Sequence, residues 1–92
     1  MNNCSKAVFL ALLIRGEFID RDDASLIGIT NLKSLVETFR IEYNLVFEFE
    51  LRVKPIYNIF RFLPAYGLKR TVSNIRQAEY ILLHGFRYRP AA

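Results

Sequence analysis

The chain has 92 residues, the size of one domain, and its 52% hydrophobic content with eight Phe and five Tyr excludes intrinsic disorder. A single cysteine, Cys4, excludes an internal disulfide framework and any cysteine-built zinc site, and makes the cytoplasm the natural compartment. The net charge of +4 is unevenly spread: residues 1–50 carry five basic and eight acidic groups, residues 51–92 eight basic groups against Glu79 alone, so a polyanion or acidic partner is expected to meet the second half.

The first helix is predicted from a cap at Ser5 to about Arg15, with Gly16 as its left-handed stop. It is apolar on nearly every side, so burial is expected rather than membrane insertion. Its apolar run, Ala7 to Ile14, is far shorter than the roughly 20 residues that span a bilayer. Arg15-Gly16-Glu17 follows directly, without the small residues of a signal-peptide cleavage site. Glu17 to Asp20 reads as a short extended piece, long enough for one edge pairing.

A second helix starts at Arg21 or Asp22, and Asp22 and Asp23 suit the positive end of its dipole. Gly28-Ile29-Thr30 makes the turn, and Thr30 is the expected N-cap of a third helix over 31–41. Leu32, Leu35, Val36 and Phe39 fall at i, i+3, i+4 and i+7, placing one apolar stripe on the core and Asn31, Lys33, Ser34, Glu37 and Thr38 outside. Two helices joined by a short Gly-containing turn form a helix-turn-helix, whose second helix can enter a DNA groove.

After Tyr43-Asn44 the period becomes two: Leu45, Phe47, Phe49 and Leu51 face one way, Val46, Glu48, Glu50 and Arg52 the other. Lys54-Pro55 is the expected hairpin turn, Ile56 to Phe62 the second strand, and residues 65–70 a loop. A fourth helix runs from Thr71 or Ser73 to about His84, with Gly85 as its stop and Val72, Ile75, Ala78 and Leu82 on its apolar face. The tail from Phe86 to Pro90 alternates aromatic and basic residues, a pattern suited to stacking on single-stranded nucleic acid, to an edge strand or to a dimer contact.

Helix, short strand, helix, turn, helix and hairpin is the order of a winged helix domain. The residues from Leu12 to Phe47 resemble the small winged helix-turn-helix proteins of phages and prophages. The resemblance rests on Gly16, Ile19, Asp23-Ala24, Gly28-Ile29, Leu32, Val36, Arg40 and Tyr43-Asn44-Leu45. It implies an α+β fold: one domain over residues 1–92, with core and wing in 1–64 and a C-terminal helical extension in 65–92. It further implies a duplex DNA-binding protein, sequence-specific or architectural, acting in transcriptional regulation or recombination within the cytoplasm of a bacterial host cell.

Carried onto this chain, the resemblance makes Asn31, Lys33, Ser34 and Thr38 base-edge readers and Thr30 a phosphate contact at the helix N-terminus. Arg52 and Lys54 would grip phosphates from the wing, and Lys69, Arg70 and Arg76 would extend the basic track. Against this stand Glu37 and Glu42, and Glu48 and Glu50 on what is expected to be the exposed face of the first wing strand, which thin the basic footprint. The acidic first half and the surplus of aromatic residues motivate a second reading, a winged-helix scaffold that clamps a host or phage protein, for instance as a small inhibitor of nucleic-acid machinery. Homodimerisation through the fourth helix is expected from its broad apolar face.

No nucleophile elbow, glycine-rich phosphate loop or zinc spacing occurs, and His84 has no identifiable nucleophile beside it. Glu17, Asp20, Asp22 and Asp23 lack calcium-loop spacing. A non-enzymatic protein without cofactor or metal is therefore the expectation.

Overall fold

The computed structural model describes residues 3–86. In chain order it places α1 (Asn3–Ile14), α2 (Arg21–Leu26), α3 (Leu32–Tyr43), β1 (Phe47–Ile56), β2 (Ile59–Leu68) and α4 (Val72–His84). The fold class is α+β, four helices and one antiparallel hairpin, and the order is compatible with a winged helix layout. None of the described helices is long and apolar enough to cross a membrane.

The stripe read from α3 is the centre of the core. Leu32, Leu35, Val36 and Phe39 are all buried, and Tyr43 continues the same face one turn further on. Phe9, Leu10 and Leu13 of α1 pack against them, with the Phe9 and Phe39 rings 6.0 Å apart. The helix ends later than expected, at Tyr43, because Asn44 adopts the left-handed conformation (φ 56°) that closes it. It also begins differently. Asn31, not Thr30, is the cap, its Oδ1 accepting from the Ser34 amide at 3.1 Å. Ser5 likewise lies inside α1, which starts at Asn3, and so is not that helix's cap.

Between α2 and α3 the chain turns at Gly28, whose φ of +84° is uncomfortable for any residue with a Cβ. A Cβ there would stand 3.0 Å from the Ser5 hydroxyl. Ile29 is buried directly after it, so the turn is pinned to the core.

The extended piece before α2 pairs as expected. Ile19 and Tyr66 exchange both backbone hydrogen bonds at 2.8 Å, which attaches Ile19 to the outer side of β2. Phe18 lies over Gly67, where a Cβ would come within 2.8 Å of its ring.

The hairpin departs from expectation in its turn and in its faces. The turn is Tyr57-Asn58, three residues beyond Lys54-Pro55, with Ile56 opposite Ile59. The first residue of this two-residue turn has positive φ (Tyr57, 56°), the twist-matched geometry of tight hairpins that a proline ring forbids. Pro55 instead sits within β1, an edge strand, where a missing N–H is tolerated. β2 continues through Leu68, so the expected boundary between residues 64 and 65 falls inside a strand.

Burial on the ribbon is also reversed. Leu63 and Ala65, opposite Arg52 and Glu50, are buried, whereas Phe49, Leu51, Val53, Phe60 and Phe62 of the other face are each more than half exposed.

α4 packs on α1 through Ala78 and Ile81, with Ile75 half-buried beside them. Val72 and Leu82 were expected on that face but lie on the exposed side; Asn74 occupies the buried position instead. Its side chain behaves as a short piece of strand. Oδ1 accepts from the Val46 amide at 2.9 Å, and Nδ2 donates to the Val46 and Lys69 carbonyls at 2.8 Å each. Asn74 thereby clips both ends of the hairpin base to the helix. Asn74→Ala is expected to cost about 1–3 kcal/mol, since it removes three hydrogen bonds that tie the hairpin base to α4. Urea denaturation measures it.

Candidate nucleic-acid interface

Asp20 is fully buried and caps α2. Its Oδ1 accepts from the Asp22 and Asp23 amides at 2.9 and 3.0 Å, while its own N–H reaches Asp23 Oδ2 at 3.2 Å. Two cations of β1 close on this knot. Arg52 Nη1 lies 3.1 Å from Asp20 Oδ2 and 2.7 Å from Asp23 Oδ2, and Nη2 donates to the Phe18 carbonyl at 2.7 Å. Lys54 Nζ lies 2.8 Å from Asp20 and 3.3 Å from Asp22. Burial alone would raise the Asp20 pKa, but hydrogen bonds from Lys54, the Asp23 amide and Arg52 outweigh it and lower the value to about 2. Hydrogen bonding to Asp20 raises Lys54 in turn, and Arg52 is raised by the same carboxylates despite its burial.

Arg52 and Lys54 therefore spend their charge on α2, and the four carboxylates around them include Glu50, 3.7 Å from Arg52 Nε. Arg70 is also committed internally. Its guanidinium donates to the Leu13 and Ile14 carbonyls at 3.0 and 2.9 Å and so closes the C-terminus of α1. Lys69 and Arg76 are exposed, at the end of the hairpin and on α4.

On α3, Thr30, Asn31, Lys33 and Ser34 are exposed, and Thr38 is half-buried with its hydroxyl donating to the Ser34 carbonyl. Capping occupies the Asn31 carbonyl oxygen, leaving its amide N–H groups as the outward donors. Arg40 is paired with Glu37 at 2.7 Å.

The N-terminal end of α3 borders a cleft of about 440 Å³ against β2. Thr30, Asn31 and Lys33 form one wall, Arg61 to Pro64 with Tyr66 the other, and Arg21 from the start of α2 joins them. Arg21, Lys33 and Arg61 form no ion pair among the described residues, and no carboxylate lines the cleft. The helix dipole adds to their positive potential. Lys33 was expected here; Arg21 and Arg61 were not. Arg61 stands opposite Lys54 only when the turn lies at Tyr57-Asn58, so a misplaced turn hid it.

The carboxylates of Glu48 and Glu50 lie on β1, one strand away from the cleft. Phe86 packs against Phe39 and Tyr43, whose hydroxyl donates to its carbonyl; the rest of the aromatic and basic tail lies outside the described residues. Compared with known proteins, the chain matches no family model, no curated protein and no solved structure.

Proposed function

We propose that this is a winged-helix protein of phage type that binds duplex DNA, sequence-specifically or architecturally, in transcriptional regulation or recombination. α3 enters the major groove through Lys33, Ser34 and the amide of Asn31, while Thr30 and the cleft cations hold the flanking phosphates. The observation that carries this reading is the acid-free cleft beside the exposed N-terminal end of α3, where Arg21, Lys33 and Arg61 are unpaired among the described residues. Arg52 and Lys54 serve a different end: they brace the wing against α2 and so fix β2 at the cleft. Lys69 and Arg76 are the remaining exposed cations named for a basic track, and they supply the outer phosphate contacts. Gel-shift titration against genomic duplex fragments at two salt concentrations tests the proposal. A shift that weakens with salt, by about 0.9 in the log–log slope per neutralised phosphate, is expected. No shift at micromolar protein in low salt would end it.

A second reading, a module that clamps a host or phage protein, draws on the exposed apolar face of the hairpin at Phe49, Leu51, Val53, Phe60 and Phe62. Under it, a stoichiometric protein stays bound after nuclease treatment of a pull-down. Under the leading reading the captured material is DNA.

A further inference from the structure

The outer edge of β1 carries a pattern that the DNA reading does not use. Tyr66 commits its N–H and C=O to Ile19, so it does not bond Phe49, its register partner across the hairpin. Phe49 and, by the period of two, Leu51 and Val53 therefore turn their backbone N–H and C=O groups away from β2. Among the described residues no strand pairs with that edge.

The side chains along it, Glu48-Phe49-Glu50-Leu51-Arg52-Val53-Lys54, are self-complementary when the strand is reversed about Leu51. We propose that β1 pairs antiparallel with β1 of a second copy of this chain, across a two-fold axis at Leu51, to make one continuous four-stranded sheet. Glu50 then stands opposite the partner's Arg52 and Glu48 opposite the partner's Lys54. On the other face Phe49 meets the partner's Val53, and Leu51 meets the partner's Leu51.

Charge fixes both register and direction. A slide of two residues one way brings Glu50 against the partner's Glu50; the other way brings Arg52 against the partner's Arg52. In-register parallel pairing sets every charge against its own copy, and an antiparallel slide of one residue puts apolar side chains opposite charged ones. Arg52 Nη1 and Nη2 are bonded to Asp20, Asp23 and Phe18, and Nε lies 3.7 Å from Glu50 of the same chain, so the partner's Glu50 joins an existing ion-pair network rather than meeting a free cation.

The pairing also sets Phe49, Leu51 and Val53, now 67%, 62% and 53% exposed, beside apolar neighbours. It closes an open edge that would otherwise invite aggregation. The cleft lies on the far side of β2 and remains open, and the two-fold axis relates two copies of α3.

Sedimentation equilibrium of the full chain at about 100 µM is expected to give twice the 10.8 kDa protomer mass. Glu50→Arg places like charges opposite each other at two symmetric positions, and is expected to raise the dimer dissociation constant at least about tenfold. Glu50 is more than half exposed, so this variant keeps its fold, which circular dichroism checks. Leu51→Cys in a Cys4→Ser background is expected to oxidise to a covalent dimer, because paired Cα atoms about 5.5 Å apart suit a disulfide. Tyr57→Cys, at the hairpin tip, is expected not to. A protomer mass at that concentration, or equal crosslinking at both positions, would overturn the proposal.

Discussion

Asp20→Ala is expected to destabilise the chain by about 3–5 kcal/mol, the cost of removing one member of a buried charge network. The loss has two parts. The cap of α2 disappears, worth about 1 kcal/mol. Arg52 and Lys54 also lose the one carboxylate that both share, the only fully buried acid among the described residues. For a domain of this size the melting temperature should fall by roughly 15–25 °C.

Asp20→Asn separates the two parts, since it keeps an acceptor for the Asp22 and Asp23 amides and removes only the charge. The same charge makes stability depend on pH. The folded pKa of about 2 lies below the ordinary value of 3.8, so folding favours the ionised form. Its contribution, about 2 kcal/mol, is complete well above 3.8 and is lost as the pH falls from there towards about 2. Lys54 is shifted the opposite way, so its contribution is present at neutral pH and lost only on the alkaline side. Urea midpoints of wild type and Asp20→Asn between pH 2 and 7 should converge at the acid end. Parallel curves would show that Asp20 is not held ionised by Arg52 and Lys54 of β1.

Joint replacement of Arg21, Lys33 and Arg61 by alanine is expected to lower the log–log salt slope of duplex binding by roughly 2–3 and the affinity on the order of 10³-fold near 0.1 M salt. The cations are unpaired among the described residues, so the folded chain should lose little stability. Arg52→Met should do the reverse. It breaks the brace between β1 and α2 and lowers stability, yet leaves the salt slope near its wild-type value while the chain is folded. Anisotropy titrations at several salt concentrations, beside urea melts of both variants, distinguish the two kinds of cation. If Arg52→Met lowered the slope as much as the triple variant did, the division between bracing and binding cations would fail.

Much of the helical core was legible because α3 repeats its apolar residues on one face and Gly28 punctuates it. Leu32, Leu35, Val36 and Phe39 are where the period puts them. The Ile19 pairing was legible too, as an extended piece with a charged run behind it. What the sequence hid were choices made in three dimensions. Pro55 looks like turn chemistry, but a tight hairpin wants positive φ, and Tyr57 supplies it at some cost in backbone comfort. Moving the turn by three residues shifts each strand partner by six, an even number, so every side chain kept its assigned face.

Which face would be covered was not legible. The acids of α2 recruit Arg52 and Lys54, and that turns the charged face inward and leaves Phe49 and Leu51 exposed. Asn74 carried no signal at all, because its role depends on meeting Val46 and Lys69 across the chain. Arg70 was named as part of a basic track, and only its contact with the end of α1 reveals it as a cap.

The most direct measurement is an amide chemical-shift titration of isotope-labelled protein with a short duplex. The resonances of Arg21, residues 30–34 and residues 61–63 are expected to move together, saturate with the duplex, and return as salt is added. Shifts confined to the apolar face of the hairpin, or none at saturating duplex, would contradict the duplex-binding proposal.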